Sequence, residues 1–523
     1  MSLTSIVNSD QMRAIEDRAE AMGVSKDALM ENAGLAVAQR VFGLVRHVPN
    51  PFVFVLVGPG NNGGDGLVTA RHLQAWSVHT EAYLVRERQH PDPKLDIARD
   101  AGVTVTAGWE DATLESLRRS LQHADVVVDA VLGTGRARAI ESPLSEMLAA
   151  VSEARRASRS MKVVAVDLPT GLDADTGALD PSALPADLTI TLGLPKCGLF
   201  LLPGSDFVGE MEIQPIGLPP GIDTVTDICL MTSHWAALLL PRRPSSGHKG
   251  TFGRAMIVAG SRNYLGAAYL AASAATRAGA GLVTIAIPES LQMAVAAKSI
   301  EPTFLPLPES SPGVVSPDAA SLVLDALDGY DALLLGCGLG QHADTIAFAE
   351  RILYSSESLP PTLVDADGLN TLARTDDWHE RFSSNAVLTP HPGEMARLTR
   401  TSAGAVQGDR FAITRRSASA WNKVTVLKGA HTVVAGPDDA PCLVSPFANP
   451  GLASAGTGDI LSGVIAGLLS QGLSLFDAAS LGVYLHGLAG GMVRDELGDT
   501  GMLASDLLPV LPRAIKALRE GKV

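Results

Sequence analysis

The sequence predicts an α/β protein of two domains, each built on a parallel β-sheet, and three observations carry that prediction. Apolar runs of strand length alternate with helical segments along most of the chain. Many of those runs are apolar at every position, as in strands covered by helices on both faces. Several end in glycine-rich polar turns, the place where open parallel sheets hold ligands. The 523 residues allow two to four domains at about 150 residues each. Pro219, Pro220 and Gly221, followed by the polar stretch Pro241–Gly250, place one joint near residues 220–245. The domains are therefore set at 1–222 and 223–523, and no sequence repeat relates them.

In order, an opening helix is expected to be capped near Ser9 or Asp10. Phe52–Val57 is a strand, Asn61–Gly66 a tight polar-glycine turn and Leu67–Trp76 a helix. Strands follow at about Glu81–Val85, Val103–Thr106, Val126–Val131 and Val163–Val166, and Leu188–Leu192 and Glu210–Pro215 close the domain as edge strands. The second domain starts with Gly253–Ala259 and continues through Leu282–Ile287, Ala332–Leu335, Thr362–Val364, Ala386–Leu388, Val424–Leu427 and Thr432–Val434. Ile460–Val493 is apolar enough to suggest a membrane span, but glycines, serines and Gln471 divide it, so two buried helices are expected.

Composition excludes several classes of function. Apolar residues make up 46% and charged residues 19%, enough for packed cores and against disorder. Only 4% of residues are aromatic, which argues against a stacking surface for single strands. Lys and Arg total 41 against 56 Asp and Glu, a net charge of -15, so no nucleic-acid or membrane partner is expected. Phosphate must be gripped locally, by backbone amides and a few cations. Cys197, Cys229, Cys337 and Cys442 form no CxxC pair, which excludes a disulfide framework or structural zinc. The first twenty residues show no basic-then-apolar leader, and a cytoplasmic location is expected.

In the first domain, GPGNNGGDGLVTARHL (Gly58–Leu73) takes a strand through glycines into a helix, where backbone N–H groups can face an anion. Asp129 ends another apolar strand and leads into Gly133-Thr134-Gly135, while Asp167 ends a third, with Thr170 just beyond. The three clusters lie at strand ends that a parallel sheet brings together. Asn62, Asp129 and Thr170 offer hard oxygen ligands for a cation, and Asp167 is a candidate general acid or base. A plain glycine turn and a helix-capping aspartate are the structural alternatives.

NNGGDG, VDAVLGTG and DLPTG, with LMENAG at Leu29–Gly34, resemble the NAD(P)H-hydrate epimerase family, the YjeF N-terminal domain, over about residues 10–217. The resemblance implies a Rossmann-like three-layer sandwich that interconverts the R and S forms of hydrated NADH or NADPH with bound potassium. It implies that Asn61, Asn62, Gly63, Gly64 and Asp65, together with Gly133, Thr134, Gly135, Arg136, Ala137, Arg138 and Ala139, line the hydrate site. It also implies potassium on Asn62, Asp129 and Thr170, and Asp167 in contact with substrate as the catalytic carboxylate.

In the second domain, Gly456-Thr457-Gly458 precede Asp459 at the start of an apolar helix, which sets a carboxylate beside an anion hole. Lys428 and Gly429 follow a strand, His391 lies between two prolines, Asp365, Asp367 and Asn370 follow another strand, and Gly336, Gly338 and Gly340 follow a fourth. HKGTFGRAMIVAGS, LGAAYLAASAATRAGAGLV, DADGLN, PHPGE and GTGD resemble the ADP-dependent NAD(P)H-hydrate dehydratase family over about residues 230–515, which implies a ribokinase-like α/β fold. By that resemblance Lys428, Gly429, Ala430, His431, Thr432 and Gly458 bind nucleotide. Ala267, Gly340, His391 and Asp459 bind the hydrate, with Asp459 as the base. Cys337 stands where the family carries proline.

The implied reaction phosphorylates the hydrate hydroxyl from ADP and then eliminates phosphate. Magnesium is expected as the charge-neutralising cation, with Asp365 a candidate to position it. The expected partners are hydrated NADH or NADPH, ADP, and further copies of the chain in a homo-oligomer. A small-molecule kinase joined to a non-catalytic binding module is the alternative.

Overall fold

The structure is a computed structural model that describes residues 3–88, 91–135, 139–158, 160–222, 226–355, 358–437 and 440–523. It divides into two compact units: Ser5–Thr226, and Asp227–Val523 joined by residues 3 and 4. The boundary thus falls a few residues beyond the expected 222/223.

The first unit carries seven parallel strands. Their spatial order is Thr104–Ala107, His79–Leu84, Phe52–Val57, Val126–Ala130, Lys162–Val166, Leu188–Leu192 and Glu210–Gln214. From Phe52–Val57 the chain first winds outward one way; from Val126–Ala130 it winds the other. The reversal leaves a crevice beyond the carboxyl ends of those two strands, where Leu56 pairs with Asp129 and Val57 with Ala130. Val53, Val55, Val57, Val126 and Val128 pack into one core layer, whereas Phe52, Phe54, Leu56 and Val127 pack into the other. Both faces are buried at the centre of the sheet, which is why Phe52–Val57 is apolar at every position.

One local expectation is corrected. Asn61–Gly66 is not a turn; it forms the first turns of a helix running Asn61–Ala75, with Gly60 at its cap. Glycine is a poor helix former when exposed, but here proximity decides. A Cβ on Gly63 would stand 1.9 Å from the Gly58 carbonyl oxygen, and one on Gly64 would stand 2.6 Å from the Met30 sulfur. Met30 belongs to LMENAG on the helix Lys26–Val45, so that motif is the packing partner of the glycine-rich helix. The opening helix, Ser9–Ala21, is capped by Asn8, whose side chain accepts from Gln11 N.

The second unit carries eleven strands. Their order is Thr4–Ser5, Ile228–Leu230, Cys442–Val444, Val433–Ala435, Val424–Leu427, Ala386–Leu388, Thr362–Val364, Ala332–Leu335, Arg254–Val258, Leu282–Pro288 and Thr303–Leu307. Val433–Ala435 runs antiparallel to both neighbours; the succession from Val424–Leu427 to Thr303–Leu307 is parallel. The alanine-rich helix Leu265–Ala278 packs against Thr457–Ser470 so closely that a Cβ on Gly463 would lie 2.1 Å from the Ala271 carbonyl oxygen. The apolar stretch near the C-terminus forms two helices, Thr457–Ser470 and Leu475–Leu497. Among the described residues no helix is long and apolar enough to cross a membrane. Ile228–Leu230, Thr303–Leu307 and Cys442–Val444 were not expected as strands. Two of them are three residues long, and Pro306 interrupts the third.

Candidate active sites

In the first unit the crevice at the chain reversal gathers the expected polar residues. Asp129 is fully buried; its Oδ1 accepts from the Thr170 hydroxyl at 2.6 Å and its Oδ2 from Thr170 N at 2.8 Å. The loop that follows ties the cluster together. Val131 N donates to Asp129 Oδ1 at 3.3 Å and Leu132 N to the Thr170 hydroxyl at 3.1 Å, and a Cβ on Gly133 would sit 3.4 Å from the Asn62 side chain. Burial pushes the Asp129 carboxyl up to about 6 against the pull of these hydrogen bonds. Asn62 is 8% exposed, and neither polar atom of its side chain has a hydrogen-bond partner among the described residues. A buried amide without partners is costly, and a buried carboxylate is held here by uncharged donors alone. A monovalent cation with oxygen ligands fits this set, because it would take the Asn62 amide oxygen as a ligand and supply a countercharge for Asp129.

Asp167 follows the strand Lys162–Val166 with a positive φ of 67°. That left-handed backbone is strained for a non-glycine residue and is typical of functional positions. Its Oδ1 accepts from Leu192 N at 3.0 Å, from the Thr191 hydroxyl at 3.3 Å and from the Lys196 ammonium. Lys196 is 1% exposed and also donates to the Leu192 carbonyl at 2.9 Å. Nearby, Asp65 is pushed well above the usual carboxylate range, first by burial and then by the Asp167 and Glu16 charges. Glu16 is raised too, again chiefly by burial, with Lys196 opposing. A carboxyl whose neutral form is favoured by burial, beside another that is charge-paired, is an arrangement suited to acid–base chemistry.

Asn61, Gly135 and Ala139 are exposed, and Gly133 and Thr134 are half-buried. Arg136, Ala137 and Arg138 lie outside the described residues. Sequence reasoning missed Lys196, Glu16 and Arg88. Arg88 donates to the Gly58 and Gly60 carbonyls, the second at 3.1 Å, and pins the turn before the glycine helix.

In the second unit Asp459 sits in the first turn of Thr457–Ser470, whose cap, Gly456, has a φ of 91°. Burial, and then the Asp365 charge, push the Asp459 carboxyl up to about 6. Lys428 Nζ lies 3.6 Å from where a Cβ on Gly458 would be, so the loop lysine and the GTGD turn face one another. Lys428 donates to Asp365 Oδ1 at 2.7 Å and lies 3.8 Å from Glu394 Oε2. Burial alone would lower its pKa, but Asp365 and Glu394 more than offset this and hold it above its ordinary value. Glu394 itself is raised to about 7, mainly by burial.

His391 caps the helix Pro392–Leu398. Its Nδ1 accepts from Gly393 N at 3.0 Å and from Glu394 N at 3.4 Å, and Nε2 lies 3.3 Å from Glu394 Oε1. Burial, then Lys428 and Arg397, lower its pKa, so the ring is neutral with its proton on Nε2. Gly340 N donates to Asp367 Oδ2 at 2.8 Å. Gly336 holds a φ of 134°, and a Cβ there would strike the Asp365 carbonyl at 1.9 Å, which fixes glycine at this position. Ala267 is the alanine beside the glycine triplet: a Cβ on Gly338 would stand 2.7 Å from its own, whereas Ala268 faces Gly260.

Of the loop Lys428–Thr432, Gly429 and Ala430 are exposed, and Thr432 donates to the Gly429 carbonyl at 2.9 Å. The His431 ring is turned inward, with Nδ1–H donating to the Ser445 carbonyl at 3.0 Å, and burial lowers its pKa to about 4. Asp365, the residue expected to help position magnesium, is buried beside Lys428. It is 1% exposed, and its oxygens are engaged by Lys428 and by the Ser462 hydroxyl at 2.8 Å. Among the described residues no group of three or more His, Cys, Asp or Glu side chains is placed to hold a metal. Sequence reasoning also missed Arg410, buried beneath the loop, whose guanidinium donates to the Leu427 and Lys428 carbonyls at 3.1 and 3.3 Å. Cys337 is fully buried against Asp365, its thiol raised by burial and by the Asp459 and Asp365 charges.

Two α/β units, each with buried carboxylates beside glycine-rich backbone at the carboxyl ends of its own sheet, define a two-site α/β enzyme. A family model described as YjeF-related protein N-terminus matches residues 26–198, and one described as NAD(P)H-hydrate dehydratase matches residues 255–513. The bifunctional NAD(P)H-hydrate repair enzyme Nnr of Moorella thermoacetica is 40% identical over 502 residues, which is 94% of this chain and 93% of that protein. Its counterpart in Escherichia coli is 35% identical over 97% of this chain and 93% of that protein. A solved structure of ADP/ATP-dependent NAD(P)H-hydrate dehydratase from Bacillus subtilis, co-crystallised with ATP and magnesium, is 32% identical. It covers 55% of this chain and 97% of its own, with a TM-score of 0.48. The chain belongs to the family of bifunctional NAD(P)H-hydrate repair enzymes.

Proposed function

We propose that the first unit epimerises hydrated NADH and NADPH and that the second dehydrates the S form at the expense of ADP. The observation that carries this reading is the presence of two separately built sites on one chain, each at the carboxyl ends of its own sheet, along a length shared with the repair enzymes.

In the epimerase site the reacting carbon bears both a hydroxyl and the ring nitrogen. Loss of the hydroxyl, assisted by the nitrogen lone pair, leaves a planar cation that water re-enters from either face. Asp65 is suited to protonate the departing oxygen and Asp167, oriented by Lys196, to accept a proton from the entering water. Asn62, Asp129 and Thr170 would hold potassium, which would fix their oxygens and offset the buried charge of Asp129.

In the dehydratase site Asp459 takes the proton of the hydrate hydroxyl as its oxygen attacks the terminal phosphorus of ADP, releasing AMP. Departure of phosphate with the neighbouring ring proton restores the double bond. The amides around Gly458 and the Lys428 ammonium are suited to the phosphates, and His391, whose Nε2 lies against Glu394 Oε1, is suited to border the hydrate. Asp365 does not fit a magnesium site, so the metal would enter on the nucleotide phosphates.

The test supplies S-hydrated NADH with ADP and follows recovery of the dihydronicotinamide absorbance, then repeats it with the R hydrate. Both are expected to be consumed. Asp167→Ala should abolish epimerisation of the R form and spare dehydration, and Asp459→Ala should stop dehydration with nucleotide still bound. Absence of recovery, with phosphorylation of a different alcohol, would refute the reading.

A further inference from the structure

The second unit also holds a basic pocket outside the reacting groups of both proposed reactions. It is an open cavity of about 480 Å³ whose walls include Gln341, Asn370, Arg374, Arg397 and Arg400. Three arginines around one cavity reverse the sign of a chain whose net charge is -15. Arg400 pairs with Asp376 at 2.8 Å; among the described residues Arg374 and Arg397 have no carboxylate at ion-pair distance.

A chain of hydrogen bonds links the pocket to Gly340 of the proposed hydrate site. Gly340 N and Gln341 Nε2 donate to the Asp367 carboxylate at 2.8 and 2.9 Å, and Asn370 Nδ2 donates to it at 3.3 Å. Arg397 Nε in turn donates to Asn370 Oδ1 at 3.1 Å. Arg397 also lies on the helix that His391 caps, and its Nη1 is 3.9 Å from where a Cβ on Gly393 would be. Six residues of helix span about 9 Å, the scale of a sugar and its phosphates. The nucleotide loop leaves the Val424–Leu427 strand, on one flank of the strand that leads to His391. The pocket residues follow the Thr362–Val364 and Ala332–Leu335 strands on the other flank, or belong to the His391 helix itself and the turn after it. The nucleotide loop and Gln341, Asn370 and Arg374 of the pocket thus follow strands on opposite flanks of the strand that leads to His391.

We infer that this pocket binds the phosphates of the adenylate half of the hydrated dinucleotide. The guanidinium forks of Arg374 and Arg397 suit phosphate oxygens, and the Gln341 and Asn370 amides border the same space. Two phosphates share this chemistry, the diphosphate bridge and the ribose 2′-phosphate of the NADPH hydrate. The inference rests on the dehydratase reading above.

The full chain and its Arg374→Gln/Arg397→Gln variant are assayed with ADP on the S hydrates of NADH, NADPH and reduced nicotinamide mononucleotide. The ratio of kcat/KM for dinucleotide over mononucleotide hydrate is expected to fall about tenfold or more, as for loss of a charge-assisted contact. A fall with both dinucleotides assigns the diphosphate, and a fall with the NADPH hydrate alone assigns the 2′-phosphate. An unchanged ratio, or a raised KM for ADP in its place, overturns the inference. Arg374→Gln alone, farther along the chain from His391, repeats the test without altering that helix. Wild-type chain inactive on every hydrate would defeat the repair reading instead, an outcome distinct from an active wild type with an unchanged ratio.

Discussion

Asp459 is the residue whose environment most directly sets a measurable behaviour. Burial and the Asp365 charge raise its carboxyl from 3.8 to about 6, while Lys428 pulls the other way. A base must be ionised, so kcat/KM for dehydration is expected to fall about tenfold per unit as pH drops below about 6. Asp459→Asn should leave only a residual, pH-flat rate. A profile in the parent chain that stays level down to pH 5 would remove Asp459 from the role of base. The same shift acts on stability with the opposite sign to a salt-bridged carboxylate. The folded state holds this proton more tightly than the unfolded chain, so the stabilisation is complete below about 3.8 and is lost as pH rises through about 6. Asp459 was legible in the sequence because a carboxylate after glycines at a helix start is a local pattern. Lys196 was not, because its meaning depends on Asp167, 29 positions earlier, and LPKCG reads as an ordinary turn. Arg410 escaped for the same reason: it meets the nucleotide loop only through carbonyls 17 and 18 positions ahead.

The alternation of strands and helices was readable because strands buried on both faces need unbroken apolar runs. The glycine-rich helix was not, since packing overrides propensity there. That override makes a prediction with a definite sign. In an exposed helix Gly→Ala stabilises by about 0.5–1 kcal/mol. At Gly63 the added methyl would meet the Gly58 carbonyl at 1.9 Å, so Gly63→Ala should destabilise the first unit by about 1–3 kcal/mol. It should also lower epimerisation while dehydration persists. Calorimetry of the full chain checks it; a raised first transition would show that the strand-to-helix turn has room to spare. Short strands such as Ile228–Leu230 and Cys442–Val444 stayed hidden because three apolar residues carry no period to detect.

On the scale of the whole molecule, two domains were legible from length and from the Pro-Gly break, but the membership of the first residues was not. Residues 3 and 4 belong with the second unit, and Thr4–Ser5 forms the edge of its eleven-stranded sheet beside Ile228–Leu230. A chain beginning at Asp227 would lack this strand and expose Ile228–Leu230 as an unpaired edge. It is expected to melt a few degrees below the matching transition of the full chain, about 2–4 °C per kcal/mol lost, and to aggregate more readily by light scattering. Identical melting would show that the edge strand contributes nothing.

The placement of Thr4–Ser5 also bears on the order of events during synthesis. Domains emerging from the ribosome generally fold in turn, N-terminal first. This strand leaves the exit tunnel ahead of the first unit, yet its neighbour Ile228–Leu230 follows more than two hundred residues later, and the next strand inward, Cys442–Val444, later still. The first unit can complete its own sheet while the two residues ahead of it wait, so residues made before that unit find their place only after it.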